Sequence, residues 1–280
     1  MTGTTNNVLE VTDREMCVLL MRFLPKFRMG YRNPFPGRGV KEIFRELAAI
    51  AVSLQQKDLL GVPDNTTVSF WREALFTCAH PVKTVMLSSH FATASPSRRF
   101  VFIVESGAAE MQYPSPAKIR LEWIPSRKAL SDRFAHELRM DTPLRSAGST
   151  VWMKEDVLHR ANSAFWKGAA EDGEAILREA QMGKGDFQRV RAALRNPASN
   201  SAVVCLEEIE SSDPPAVRGF GVLEGGEDIW MLKNKTSDGS RCVEWTPSDG
   251  VRIREAWEAL LGEGDTASAP AHGHMPFRTG

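Results

Sequence analysis

Apolar positions along this chain recur with a helical period in some stretches and alternate in others, and the order of these stretches predicts the elements. Met16, Leu19, Leu20, Phe23 and Leu24 form a 3.6-residue stripe, and Thr12 with Glu15 three residues on is a capping-box pattern at its start. Helical runs over 71–81 and 187–197 each end at a proline, which lacks the N–H that a further helical bond needs. An apolar strand follows each, over 83–88 and 202–207. In the second half the alternation predicts strands over 202–208, 217–224, 228–234 and 241–246. Ser211-Ser212-Asp213-Pro214-Pro215, Gly225-Gly226 and Ser237-Asp238-Gly239-Ser240 join them, all turn-forming residues. Joints this short require antiparallel pairing, because a parallel crossover needs about a dozen residues or more. Two more helices are expected over 154–164 and 174–182, with Gly183-Lys184-Gly185 as a stop.

The two halves of this pattern match. Leu121-Glu122-Trp123-Ile124-Pro125-Ser126 leads into a helical run over 129–138, and Val243-Glu244-Trp245-Thr246-Pro247-Ser248 leads into one over 251–261. Upstream, Val104-Glu105-Ser106-Gly107 aligns with Leu223-Glu224-Gly225-Gly226. The offset drifts from 116 to 119 to 122 residues, which places the mismatches in loops, as a duplicated unit requires. The expected fold class is therefore α+β, an internally duplicated, pseudo-twofold unit of helices, a four-stranded antiparallel meander and a closing helix. The repeats fall at residues 8–145 and 146–262. Residues 1–7 and the Gly-, Ala-, Pro- and Ser-rich 263–280 are expected to be disordered. In each repeat the serine of Pro-Ser is positioned to cap the closing helix, and Trp123 and Trp245 are expected to pack beneath that helix.

Composition narrows the class. With 280 residues, 42% hydrophobic and 25% charged, the chain is globular with a substantial core. No stretch approaches the roughly 18 apolar residues of a membrane span, so no membrane partner is expected. The polar, uncharged segment 1–7 does not read as a secretory signal, and a cytoplasmic location is expected. Cys17, Cys78, Cys205 and Cys242 lie far apart and read as small apolar residues in a reducing compartment. The formal charge is zero but polarised: residues 1–150 carry 20 Lys and Arg against 14 Asp and Glu, and residues 151–280 carry 15 against 21. Such a distribution orients a charged partner.

Chemistry-bearing motifs are missing. His80, His90, His136 and His159 have no partner at helical spacing, and His272 and His274 lie in the tail. No phosphate loop, dinucleotide fingerprint, nucleophile elbow or zinc-protease signature occurs. No catalytic residue, metal or cofactor is expected, and the chain does not read as an enzyme. The segment from Arg28 to Gly39 has no counterpart in the second half, and its Tyr31, Arg32, Phe35 and Arg38 are residue types suited to a binding hot spot. The same loop could grip phosphates with three arginines and stack bases on Tyr31, or tuck Phe35 into the core. The equivalent turns at Ser106 and Gly107 and at Gly225 and Gly226 complete the candidate partner-binding set.

From Val8 to Leu261 the order of elements resembles the EspG family of type VII (ESX) secretion chaperones. The nearest local likeness is Leu232 to Pro247, where Ser237-Asp238-Gly239-Ser240-Arg241 and a later proline are similar to the family's D-x-x-G-R stretch and the proline before its last helix; Ser240 interrupts the Gly-Arg pair. Leu54 to Leu60, followed by a helix ending at Pro81, is similar to the family's helical N-terminal segment. The resemblance implies a cytosolic α/β chaperone with a pseudo-twofold fold that binds the helical tip of PE–PPE pairs and keeps them soluble. The leading expectation is thus a chaperone or adaptor that holds a helical protein partner against its central sheet and loops, with neither nucleic acid nor small molecule required. The alternatives are an immunity-type inhibitor that plugs a toxin's active site and a nucleic-acid binder using the basic first half, which would lose affinity steeply with salt. An enzyme without signature would need a concave pocket with perturbed ionisable groups.

Overall fold

Thr12 N–H donates to Glu15 Oε2 (2.8 Å) and Glu15 N–H donates to Thr12 Oγ1 (3.1 Å), so the capping box forms and starts helix α1 (Asp13–Met21). The computed structural model describes residues 8–21, 23, 33–56, 59, 69–143, 148–207, 216–237 and 239–262. The expected disorder at 1–7 and 263–280 lies outside the described residues. Around α1 run β1 (Val8–Thr12), α2 (Val40–Gln56), α3 (Ser69–Ala79), β2 (Lys83–Phe91), β3 (Ser97–Val104), β4 (Gly107–Ser115), β5 (Lys118–Ile124) and α4 (Arg127–Phe134). There follow β6 (Val151–Lys154), α5 (Glu155–Trp166), α6 (Ala170–Arg178), α7 (Lys184–Arg195), β7 (Pro197–Glu207), β8 (Ala216–Gly225), β9 (Asp228–Ser237), β10 (Ser240–Pro247) and α8 (Gly250–Leu261). The described elements are helices and antiparallel strands, which makes the fold α+β.

The chain divides into two units, Met1–Met86 with Arg98–Leu130 and Leu87–Ser97 with Ser131–Gly280. In the first, the strand order is β1-β5-β4-β3-β2. Met16, Leu19 and Leu20 of α1, Leu54 of α2 and Leu75 of α3 bury their apolar stripes against Phe102, Met111 and Leu121. Trp123 is half-buried at the edge of that core. Glu110 of β4 is fully buried, held by Arg99 (3.1 Å) and by the Gln112 amide (2.6 Å).

In the second unit the order is β7-β8-β9-β10-β6. Val157, Leu158 and Phe165 of α5, Leu177 of α6, and Val190 and Leu194 of α7 cover Leu223, Trp230, Leu232 and Trp245. The two indoles meet edge-on at 5.7 Å. Trp245 therefore packs beneath α5 and α7, not beneath the closing helix as the sequence suggests. Alternation along β10 assigns Trp245 to one face of the sheet but does not say which helices cover that face. The closing helix α8 instead buries Ile253, Trp257, Leu260 and Leu261; Trp257 Nε1–H donates to Ser131 Oγ (3.1 Å) and its ring meets Phe134 edge-on.

Four local expectations are corrected. Each unit carries a fifth strand ahead of its helices: β1 adds antiparallel to β5, and β6 to β10. Lys154, expected to open a helix, ends β6 and is the N-cap residue of α5. Gly183 is the N-cap residue of α7 and Lys184 its first residue, whereas α6 has already ended at Arg178. Of the two serine caps, Ser126 Oγ accepts from Ala129 N–H (3.1 Å), but α8 is capped by Asp249, whose Oδ1 accepts from Arg252 N–H (2.8 Å).

Candidate partner-binding surfaces

Of the first-half loop, Tyr31 and Arg32 lie outside the described residues. Phe35 is held by an Asx turn, its N–H donating to Asn33 Oδ1 (2.9 Å), and its ring is only 6% exposed with the Arg14 guanidinium 5.8 Å from its centroid. Arg38 pairs with Glu46 and with Glu42 (3.3 Å), and Arg14 pairs with Glu46 as well. Phe35 is thus buried rather than displayed, and Arg38 is engaged in fastening the loop to α2. Proline on both sides of Phe35 fixes the backbone in a way that suits packing as well as display.

At the two turns, the glycines serve close approach. A Cβ on Gly107 would lie 2.6 Å from the Ile124 carbonyl oxygen and 2.7 Å from the Trp123 ring. One on Gly225 would lie 2.6 Å from Ala193 Cα and 2.7 Å from the Ala193 carbonyl oxygen, so only glycine lets β8 pass beneath α7. Gly107 and Gly225 are buried; Ser106 and Gly226, at the tips, are exposed, and Gly226 takes a left-handed φ of 64°. Gly226 borders an open groove with Gln188, Arg191, Ala192 and Arg195 of α7 and with Asn196, the C-cap residue that follows it. Arg191 is paired with Glu174 (3.0 Å), and exposed Arg195 has no ion-pair partner among the described residues.

The second unit also displays aromatic surface that the sequence reading passes over. Trp152 is 47% exposed on β6, the last strand in its order, opposite Glu244 of β10, which in turn lies opposite Lys233 of β9. Among the described residues the outer edge of β6 meets no further strand of this unit, and an edge strand is where a partner gains access to a sheet. Trp166 is 62% exposed at the end of α5, its ring 5.6 Å from that of His90. The signal was present in both cases. Val151 and Met153 are buried and alternate with Trp152, and Trp166 falls one step off the stripe of Val157, Leu158, Ala161 and Phe165.

The buried carboxylates of the second unit are engaged in holding the fold. Asp228 accepts two hydrogen bonds from Arg189, at 2.8 and 3.0 Å, and the Asp228 bond is the main cause that raises the Arg189 pKa. Buried Glu224 is held by Arg139 (2.6 Å), which takes a left-handed φ of 59° and lies over the Phe91 ring. Burial pushes the Cys17 thiol up, away from the reactive thiolate. Among the described residues no group of three or more His, Cys, Asp or Glu is placed to hold a metal, and no helix is long and apolar enough to cross a membrane.

These features define an α+β protein whose buried carboxylates Glu110, Glu224 and Asp228 are each paired with an arginine and whose two exposed tryptophans, Trp152 and Trp166, lie at a sheet edge and a helix end. No family model and no curated protein sequence matches the chain. Among solved structures, it is similar to the Mycobacterium tuberculosis type VII secretion system chaperone EspG5, solved in complex with the PE25–PPE41 dimer, with a TM-score of 0.58 and 12% identity over 97% of this chain and 100% of that one. The likeness is one of fold.

Proposed function

We propose that this protein is a cytosolic chaperone or adaptor that holds a helical protein client of the PE–PPE kind. The observation that carries this reading is the match in fold, end to end, with a chaperone whose structure holds its bound dimer. The internal duplication belongs to the same reading, and the equal run of described elements in the two halves of the chain supports it: strand, three helices, four strands and a helix, twice. In the second unit the binding surface we propose comprises Trp152 with Glu244 on β6 and β10 and the exposed turn tip at Gly226; in the first unit we propose the exposed turn tip at Ser106, while Tyr31 and Arg32 of the first-half loop lie outside the described residues. Trp152 is a residue type that anchors interfaces, and an exposed indole on an edge strand has little to contribute to the fold itself.

The test is affinity purification of the tagged chain from its host, identification of the co-purified protein, and reconstitution of the complex from purified parts. A stoichiometric complex with a helical, secreted-type protein or pair, weakened about tenfold or more by Trp152→Asp, supports the reading. A toxin enzyme as the partner, binding of nucleic acid that collapses with salt, or no protein partner overturns it.

A further inference from the structure

Helix α2 has a wider apolar face than the other described residues cover. Of its 17 residues Leu54 alone is fully buried, and Ile43, Leu47 and Ile50, on the same side, are half-buried. Val40, Phe44 and Val52 are 69, 65 and 57% exposed, and Ala48 between them is exposed as well. These four recur at i, i+4, i+8 and i+12, which makes them one continuous ridge about 18 Å long on the helix surface. A ridge of this spacing is the shape that seats in the groove of another helix crossing it. Nor does the ridge serve solubility, since exposed Val and Phe aligned over three turns leave apolar area against water.

The charges beside the ridge specify the occupant. On its far side Glu46 is taken up by Arg14 and Arg38, and Glu42 by Arg38. On its near side Lys41 and Arg45 are exposed, one turn apart, and have no ion-pair partner among the described residues. Lys41 lies three residues before Phe44 and Arg45 three before Ala48, so both cations flank the apolar ridge. We propose that the outer face of α2 docks an amphipathic helix of a protein partner, one that carries acidic residues beside its own apolar stripe. Helix-in-groove recognition of this kind is read through anchors at i, i+4 and i+8, and complementary flanking charge sets orientation and on-rate. An anionic lipid surface suits the arrangement less well, because a membrane-bound helix needs a predominantly basic polar face and the polar positions of α2 carry Glu42 and Glu46 as well as Lys41 and Arg45.

The inference concerns α2 alone and is tested with a peptide, so its failure and that of the client-binding reading are separable. The probe is a fluorescein-labelled helical peptide of about 18 residues with leucines on one face and glutamates flanking them, titrated by anisotropy against the full chain. The control peptide has lysines in place of the glutamates. The expected result is saturable binding of the glutamate peptide and affinity lower by about tenfold or more for the lysine peptide. Phe44→Asp should lose about tenfold with an unchanged circular dichroism spectrum, and Lys41→Glu with Arg45→Glu should reverse the peptide preference. Equal affinity for both peptides, binding of neither, or no effect of Phe44→Asp overturns the proposal. So does a dimer in sedimentation that Phe44→Asp dissociates, which would make the face a self-interface, or retention of the chain on phosphatidylserine vesicles through Phe44.

Discussion

Replacing Arg189 by methionine should be among the costliest single changes in the second unit. The guanidinium donates through Nε to Asp228 Oδ2 and through Nη2 to Asp228 Oδ1, reaches Asp186 at 3.8 Å, and lies 4.8 Å from the centroid of the Trp230 ring. It thereby fastens α7 to the start of β9, next to the Gly226 turn. The Asp228 side chain is only 7% exposed, so methionine would leave a buried carboxylate without its guanidinium. Removing one member of a buried ion pair costs about 3–5 kcal/mol, a large part of the roughly 5–15 kcal/mol by which a folded protein is stable. Neutralising the second member relieves most of that cost, so Arg189→Met with Asp228→Asn should be more stable than Arg189→Met alone. Urea denaturation followed by tryptophan fluorescence measures both, and Trp230 reports directly because the guanidinium covers its face. A loss under about 1 kcal/mol for the single variant, or strict additivity of the two changes, would refute the argument, because partners in contact should couple by about 0.5–3 kcal/mol.

Two further outcomes are expected. Gly225→Ala should destabilise the second unit by about 1–3 kcal/mol, since its Cβ meets the Ala193 backbone, which has no rotamer to yield; thermal denaturation that leaves the midpoint unchanged would show that α7 shifts without cost. At the surface, the Arg160 hydrogen bond lowers the Glu179 pKa, so the folded state binds the proton less readily than the unfolded chain. The stabilisation from this pair is present above the ordinary carboxylate range and is lost as pH falls through the lowered folded value. The urea midpoints of wild type and Glu179→Gln, compared from pH 7 down to pH 3, should therefore converge on acidification.

Much of the fold is legible in the residues, and the exceptions have physical reasons. The last four strands of the second unit appear in the predicted order because Gly226 and Gly239, both at positive φ, mark two of the turns between alternating runs. Pro81 and Pro197 follow the ends of α3 and α7, at Ala79 and Arg195. The leading strands β1 and β6 escape such reading because five and four residues are too few to separate alternation from the start of a helix. Ser248 and Asp249 are both competent caps, and which one serves depends on where the preceding strand releases the backbone. The candidate site was less legible. Hot-spot residue types drew attention to Phe35, yet residue type does not distinguish a displayed ring from one pinned inward by Asn33 and Arg14. Trp152, Trp166 and the α2 ridge are visible as apolar residues off the buried face, a signal that needs the buried face to be assigned first.

The bond from Trp257 to Ser131 has a bearing on how the protein is made. Its partners are 126 residues apart, and two neighbouring ties, Arg254 to Asp141 and Gly250 N–H to the Thr142 carbonyl, span nearly as much chain. At a synthesis rate of about 5–20 residues per second, Ser131 and Phe134 emerge roughly 6–25 seconds before the indole that covers them. During that interval the nascent chain holds an apolar surface for which its own covering helix does not yet exist. The surface that α8 covers would, on this account, depend on shelter from elsewhere while the chain is being translated.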